Sequence, residues 1–226
     1  MFFNRKKNRP KEKISFLKNN NNLLEELKEK GISDKNILDA IKKVPRELFV
    51  NKISAQWAYE NIALPVDCKQ TISQPYVVAY MIECLKIKKT DRILEIGTGT
   101  GYQTAVISHL CREIYTIEIF NKLLLQAKTN INRLKIKNVI YKLGNGAKGW
   151  GGEILFDNII ISAAMEKLPL KLLSNLKNYG NLIFPKKYPL GNQKLILIKK
   201  TDKNSFDQKE LFDVKFVSFL DNNIEH

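Results

Sequence analysis

The 226-residue chain reads as an α/β fold, a largely parallel sheet covered by helices on both faces, with an antiparallel edge strand and a small helical extension in front. Three observations carry that reading. From position 91 onward, short apolar runs of strand length alternate with segments of helical apolar spacing. The run Ile93-Leu94-Glu95-Ile96 stops in three alternate glycines, Gly97, Gly99 and Gly101, and enters a helical pattern from Tyr102 to Leu110: a buried strand, a tight turn and a helix N-terminus. A hydrophobic share of 44% over this length supports one large core.

From the start of the chain, residues 1–22 form a polar, basic arm ending in four asparagines, too poor in apolar residues to bury much surface and expected to be frayed. Leu23, Leu24 and Leu27 then predict a short helix to Glu29, stopped by Gly31; Ser33 is expected to cap a second one carrying Ile37, Leu38 and Ile41, ended by Pro45. Residues 51–70 are irregular, with Trp57 and Tyr59 expected as anchors. Ser73 is placed to cap a helix that has Pro75 in its first turn and runs to Leu85. After the glycine turn come a strand at 114–119, a helix at 122–133, a strand at 138–143 ending in Gly144-Asn145-Gly146, and an apolar strand at 156–162. Pro169 opens a helix to Leu176; strands follow at 180–184 and 195–198 across a Pro/Gly/Lys-rich loop at 186–194, and 212–220 supplies the edge strand.

Composition narrows the function classes. The formal net charge is +15, but the lysines are spread along a chain equally heavy in Asn and Ile, and no basic helix with interleaved aromatics occurs, so nucleic acid is not the expected partner. No stretch approaches the roughly 18 to 20 apolar residues of a membrane span, and residues 1–22 lack the apolar centre of a signal peptide, which leads to the expectation of a soluble, cytoplasmic protein. Cys68, Cys84 and Cys111 form no C-x-x-C pair and leave one over, against a disulfide framework or a metal site.

The glycine turn is the strongest chemical signal. Its backbone N–H groups and the following helix dipole suit an anionic group. The dinucleotide fingerprint is G-x-G-x-x-G, whereas here the spacing is Glu95-x-Gly97-x-Gly99-x-Gly101. About 20 residues beyond the first glycine a second strand ends in Glu118, whose carboxylate can accept the two hydroxyls of a ribose. Together they point to a nucleoside ligand without a pyrophosphate.

This E-x-G-x-G-x-G turn with a distant acid resembles motif I and the ribose-binding acid of the class I methyltransferases. The resemblance sharpens with Val44-Pro45-Arg46-Glu47-Leu48-Phe49, Ala58-Tyr59-Glu60-Asn61 and Thr71-Ile72-Ser73-Gln74-Pro75 upstream, and Asn145-Gly146-x-x-Gly149-Trp150, Phe156-Asp157-Asn158-Ile159-Ile160 and Val214-x-Phe216-Val217 downstream. In this order they resemble the protein-L-isoaspartate O-methyltransferases over roughly residues 30–220. That resemblance implies a Rossmann-like sheet in a single domain over 23–226, with a helical extension and substrate-side segment at 23–90 and a cofactor-binding core at 91–226. It implies S-adenosylmethionine as cofactor, S-adenosylhomocysteine as its product and no metal. The substrate implied is the free α-carboxylate of an L-isoaspartyl residue in a damaged protein, met by a monomeric enzyme.

Residue by residue, the resemblance puts Ser73 at the active site, holding the carboxylate by its hydroxyl, with Thr71 and Ile72 shaping the pocket. Gly97, Thr98, Gly99 and Gly101 would line the methionine end of the cofactor near Glu95, Glu118 would hold the ribose, and Asn145 with Gly146 would meet the adenine. Gln103 either contacts a ligand or starts the helix. A carboxylate nucleophile is already ionised at neutral pH, its reference pKa being about 4, so no strong base is required. That agrees with a chain holding only two histidines, His109 and the terminal His226. Departures from the family pattern are Asn145 for the usual Asp, Lys69 and Tyr179 where glycines are common, and Lys186-Lys187 for Val-Gly. A class I methyltransferase acting on another nucleophile, a small acid or a nucleic-acid base, is the alternative; the N/D-P-P-Y-type clamp of base methylation does not occur.

Overall fold

The computed structural model describes residues 10–202 and 205–220, with side chains from Asn19 on. Seven strands, β3 (Arg92–Ile96), β4 (Glu113–Glu118), β5 (Val139–Leu143), β6 (Phe156–Ile161), β7 (Leu176–Lys187), β8 (Gln193–Asp202) and β9 (Ser205–Asp213), form one sheet in the order β5-β4-β3-β6-β7-β8-β9. The first five in that order pair in parallel, and β8 and β9 continue antiparallel to the edge. Strand order switches at β3: the chain steps outward on one side to β4 and β5, then crosses back to lay β6 on the other side of β3. Such a switch point opens a crevice at the carboxyl ends of the strands, where ligands bind in open α/β sheets.

Strand periodicity sorts the core into two layers. Ile93, Ile114, Ile160, Ile183 and Leu195 face one cluster. Their neighbours Leu94, Ile117, Ile159, Leu182 and Ile196 face the other. The first layer packs under α1 (Pro10–Glu29), α2 (Lys35–Lys43), α3 (Pro75–Leu85), α4 (Tyr102–Ser108) and part of α5 (Asn121–Arg133). The second is closed by the short α6 (Leu170–Ser174) and the 3-10 turn Gly146–Lys148 region with Trp150. Helices cover both faces, unequally.

Several boundaries differ from the sequence reading for identifiable reasons. Residues 10–22, expected as a frayed arm, are the first part of α1; Asn20 is 5% exposed and its amide donates to Lys42 O at 3.2 Å, so a tertiary contact holds a polar turn that lacks apolar residues of its own. Residues 1–9 lie outside the described residues. Asp34, not Ser33, caps α2, accepting the Asn36 N–H at 2.8 Å, while Ser33 N and Asp34 N donate to Glu83. Trp57 is 43% exposed and so is not the buried anchor expected; Tyr59 is tied down, donating its hydroxyl to Glu47. Lys186 and Lys187 belong to β7, and the loop shrinks to 188–192. The edge strand is β9, which shares only residues 212 and 213 with the expected 212–220; beyond it the chain joins the fold through a parallel bridge between Ala164 and Ser218.

Two residues standing where glycine was expected take up backbone that favours glycine. Lys69 and Tyr179 both sit at positive φ, 56° and 65°, a region that disfavours side chains with a Cβ. Tyr179 occupies the irregularity where β7 leaves its register with β6, and it is 75% exposed. Tyr179→Gly therefore removes strain at little loss of packing, and a gain of about 0.5–1 kcal/mol is expected in urea unfolding. A loss would show that the ring packs better than its exposure indicates.

Candidate active site

The carboxyl ends of β3, β4, β5 and β6 open onto one cleft, to which they bring Ile96, Glu118, Gly144 and Ser162. Its floor is the turn after β3. Gly97, Gly99 and Gly101 have φ values of 94°, 56° and 95°, which only glycine adopts without strain. A Cβ built on Gly99 meets nothing within 4 Å, so this backbone is bare toward the cleft. Gly101 is different: its Cβ would stand 3.1 Å from Ala127 Cβ and Ile131 Cδ1, so its glycine lets α5 pack against the turn.

Glu118 ends β4 and is 4% exposed. One carboxylate oxygen accepts the Gly99 N–H at 2.7 Å, and the other accepts those of Ile119 and Phe120 at 2.9 and 3.0 Å. Burial pushes its pKa up and the three amides oppose that. A carboxylate offers about four acceptor sites, so the amides do not exhaust it. It lines the cleft, aligned by the same backbone that forms the glycine turn.

Glu95 has another place. It is 0% exposed and does not line the cleft; it accepts from Gln103 Nε2 at 2.9 Å, Thr104 Oγ1 at 2.5 Å and Thr116 Oγ1 at 2.7 Å. Burial pushes its pKa up to about 7 against those three donors. Thr98 joins the same network through Thr116 at 2.6 Å. Gln103, which lines the cleft, also donates to Ser162 Oγ at 2.9 Å, so its side chain ties the end of β3 to the segment after β6.

At the end of β5, Gly144 and Gly146 line the cleft. A Cβ on Gly146 would fall 2.2 Å from Ile96 Cγ2, so that position must be glycine for the two strand ends to approach. Asn145 is 6% exposed, does not line the cleft, and its Oδ1 accepts the Ala147 N–H at 2.8 Å as the cap of a 3-10 turn.

The other end of the cleft is the hairpin β1 (Leu64–Pro65) with β2 (Thr71–Ile72). Ile72 is buried and anchors it; Thr71 and Ser73 line the cleft together with Ile72 and Gln70. Ser73 is not the cap of α3. Gln74 holds the cap position without a side-chain bond, and Asn61 Oδ1 accepts the Tyr76 N–H at 2.9 Å instead. The Ser73 hydroxyl thus has no capping duty.

Sequence reading missed the rest of the lining. Ser162 and Ala163 follow β6, and Val217 to Leu220 close the cleft from the chain end, docked by Ala164 N to Val217 O and Phe219 N to Ala164 O, both 2.8 Å. A segment joined by isolated bridges carries no periodic signal, whereas Ile119 and Phe120, the two residues that follow the strand-end acid, are open to inference.

A largely parallel α/β sheet with a bare glycine turn and a buried strand-end acid lining one cleft at the switch point defines a class I methyltransferase that uses S-adenosylmethionine. The chain belongs to the protein-L-isoaspartate(D-aspartate) O-methyltransferase family, whose model matches residues 18–224. Among relatives, a protein-L-isoaspartate O-methyltransferase of Parvibaculum lavamentivorans is 45% identical over 197 residues, 86% of this chain and 88% of its own. One from Flavobacterium psychrophilum is 40% identical over 201 residues, 89% of this chain and 93% of its own. A solved protein-L-isoaspartate O-methyltransferase superposes with a TM-score of 0.82 at 31% identity, covering 91% of this chain and 67% of that one. A Plasmodium falciparum structure, in complex with S-adenosyl-L-homocysteine, gives 0.78 at 27% identity, covering 89% and 98%.

Proposed function

We propose that this enzyme transfers a methyl group from S-adenosylmethionine to the free α-carboxylate of L-isoaspartyl residues in damaged proteins and peptides, the ester then closing to a succinimide on the way to repair. The observation that carries the reading is one cleft lined at one end by the Gly97–Gly99 turn and Glu118 and at the other by Thr71 and Ser73. The bare backbone at Gly99 and the spare acceptor capacity of Glu118 fit the cofactor, with Gly97, Thr98, Gly144 and Gly146 alongside. When bound, S-adenosylmethionine supplies an electrophilic methyl group and departs as S-adenosylhomocysteine. Glu95 serves by bracing Gln103 and the two threonines, and Asn145 by fixing the turn that presents Gly146. In this reading the fold from α1 onward works as one domain, acting as a cytoplasmic monomer on protein substrates.

The chemistry asked of the chain is alignment and exclusion of water. The carboxylate is ionised near neutral pH without a base. His109, whose pKa burial pulls down, caps the end of α4 and does not line the cleft. Ser73 donates its hydroxyl to the carboxylate and fixes which oxygen attacks. Ser73→Ala is therefore expected to leave cofactor affinity unchanged and slow methyl transfer tenfold to hundredfold, the worth of about 1–3 kcal/mol for one orienting hydrogen bond. Single-turnover methylation of an isoaspartyl peptide at saturating cofactor reads this. A parental rate would remove Ser73 from the chemistry, and a methylated enzyme intermediate would overturn direct transfer.

A further inference from the structure

Arg46 is 0% exposed, yet no carboxylate among the described residues pairs with it. Burial pulls its pKa down to about 10, so it is still a cation at neutral pH. Its donors go to three backbone carbonyls: Nη1 to Ala58 O at 2.6 Å, and Nη2 to Ile62 O and Ser73 O, each at 3.0 Å. Ala58 and Ile62 precede the β1–β2 hairpin and Ser73 follows it, so one guanidinium fork clasps both flanks of the segment that carries Thr71 and Ser73.

The same side chain reaches the cofactor end. Its guanidinium lies 5.6 Å from the ring centroid of Tyr102, the first residue of α4, which lines the cleft. Phe49 packs edge-on to that ring at 5.7 Å, and Phe49 O accepts the Thr100 hydroxyl at 2.7 Å. Arg46 Nε and the Tyr102 hydroxyl are both buried without a partner. Burying a cation with no counter-ion opposes folding, and leaving a donor unmet adds to that cost. Where charge is buried away from water, its field reaches neighbouring groups with little screening.

We propose that Arg46 is the positioning residue of the substrate subsite: it pins the Ser73 backbone relative to α4, and its uncompensated charge makes the Ser73 end of the cleft prefer an anionic carboxylate over a neutral group. The inference rests on the functional reading above and deepens it. The counter-ion that the described residues do not supply is then the substrate's own α-carboxylate, attracted through space while Ser73 makes the contact. Acidity of the substrate group, and not its shape alone, becomes a basis of selection. A buried charge kept only for stability would give no such preference.

The test uses the full chain with Arg46→Lys and Arg46→Gln. With S-adenosylhomocysteine saturating, calorimetry gives Kd for an isoaspartyl peptide and for its α-carboxamide analogue, and steady-state assays give KM and kcat. Affinity for S-adenosylhomocysteine itself should stay within about twofold. Arg46→Gln should raise KM about tenfold and shrink the preference for carboxylate over carboxamide by a similar factor; Arg46→Lys, which keeps the charge but not the planar fork, should raise KM and retain most of that preference. Folded variants with parental KM and parental preference would overturn the proposal. So would variants that fail to fold even with saturating S-adenosylhomocysteine, which would make Arg46 a folding element. A parent that does not methylate the isoaspartyl peptide at all would instead remove the functional reading, and this inference with it.

Discussion

Gly99→Val should abolish binding of S-adenosylhomocysteine in a chain that remains folded. At Gly99 the backbone is left-handed, φ 56°, and an added Cβ meets no protein atom within 4 Å, so the branched side chain would project into the cleft rather than into packing. The folding cost is that of a side chain in the left-handed region, about 1–2 kcal/mol. Domain stabilities run to about 5–15 kcal/mol, so the fold survives it. The neighbouring glycines behave otherwise: a Cβ at Gly101 presses on α5 and one at Gly146 collides with Ile96, so changes there act on the fold first. Circular dichroism melts with calorimetric titration separate the cases. A folded Gly99→Val chain with parental affinity would show that the turn does not face the cofactor.

Glu118→Ala is expected to weaken S-adenosylmethionine binding by about 1–3 kcal/mol, through lost charge-assisted hydrogen bonds, and to lower the melting temperature as well. Both effects have one origin. The carboxylate receives the Gly99, Ile119 and Phe120 N–H groups, and its loss leaves three partly buried donors unmet at the turn that shapes the cleft. Glu118→Gln separates them: an amide oxygen can still accept from the backbone, but the charge is gone, so stability should recover more than affinity. Equal calorimetric affinities for Glu118→Ala and the parent would remove Glu118 from the cofactor site.

The parts of the molecule legible in the sequence are those fixed by local pattern. Strands β3, β4 and β6 are largely buried and read as apolar runs, the partly buried edge strand β5 reads by alternation, and the alternate glycines mark the turn because left-handed backbone selects that residue. Where a tertiary partner decides, pattern fails. The polar start of α1 is held by Asn20 against α2, and Asn61, which lies 15 residues before the Tyr76 N–H that it accepts, does the capping expected of Ser73. Glu95 sits in an apolar run next to the glycines and reads as a ligand residue, but Thr104, Thr116 and Gln103, which make its burial tolerable, come from α4 and β4. Arg46 is invisible to hydropathy, since nothing in its own segment announces three carbonyl acceptors supplied from further along the chain.

Transfer of labelled methyl from S-adenosylmethionine to a synthetic isoaspartyl peptide, with the matching aspartyl peptide as control, tests the account most directly. An aspartyl residue presents a β-carboxylate on a normal backbone, whereas the isoaspartyl residue presents its α-carboxylate on a side branch, the group that the Thr71–Ser73 end of the cleft is read to align. Base-labile label on the isoaspartyl peptide, with little on the aspartyl one, is the expected result. Equal labelling of both peptides, or of neither while S-adenosylhomocysteine still binds, would contradict it.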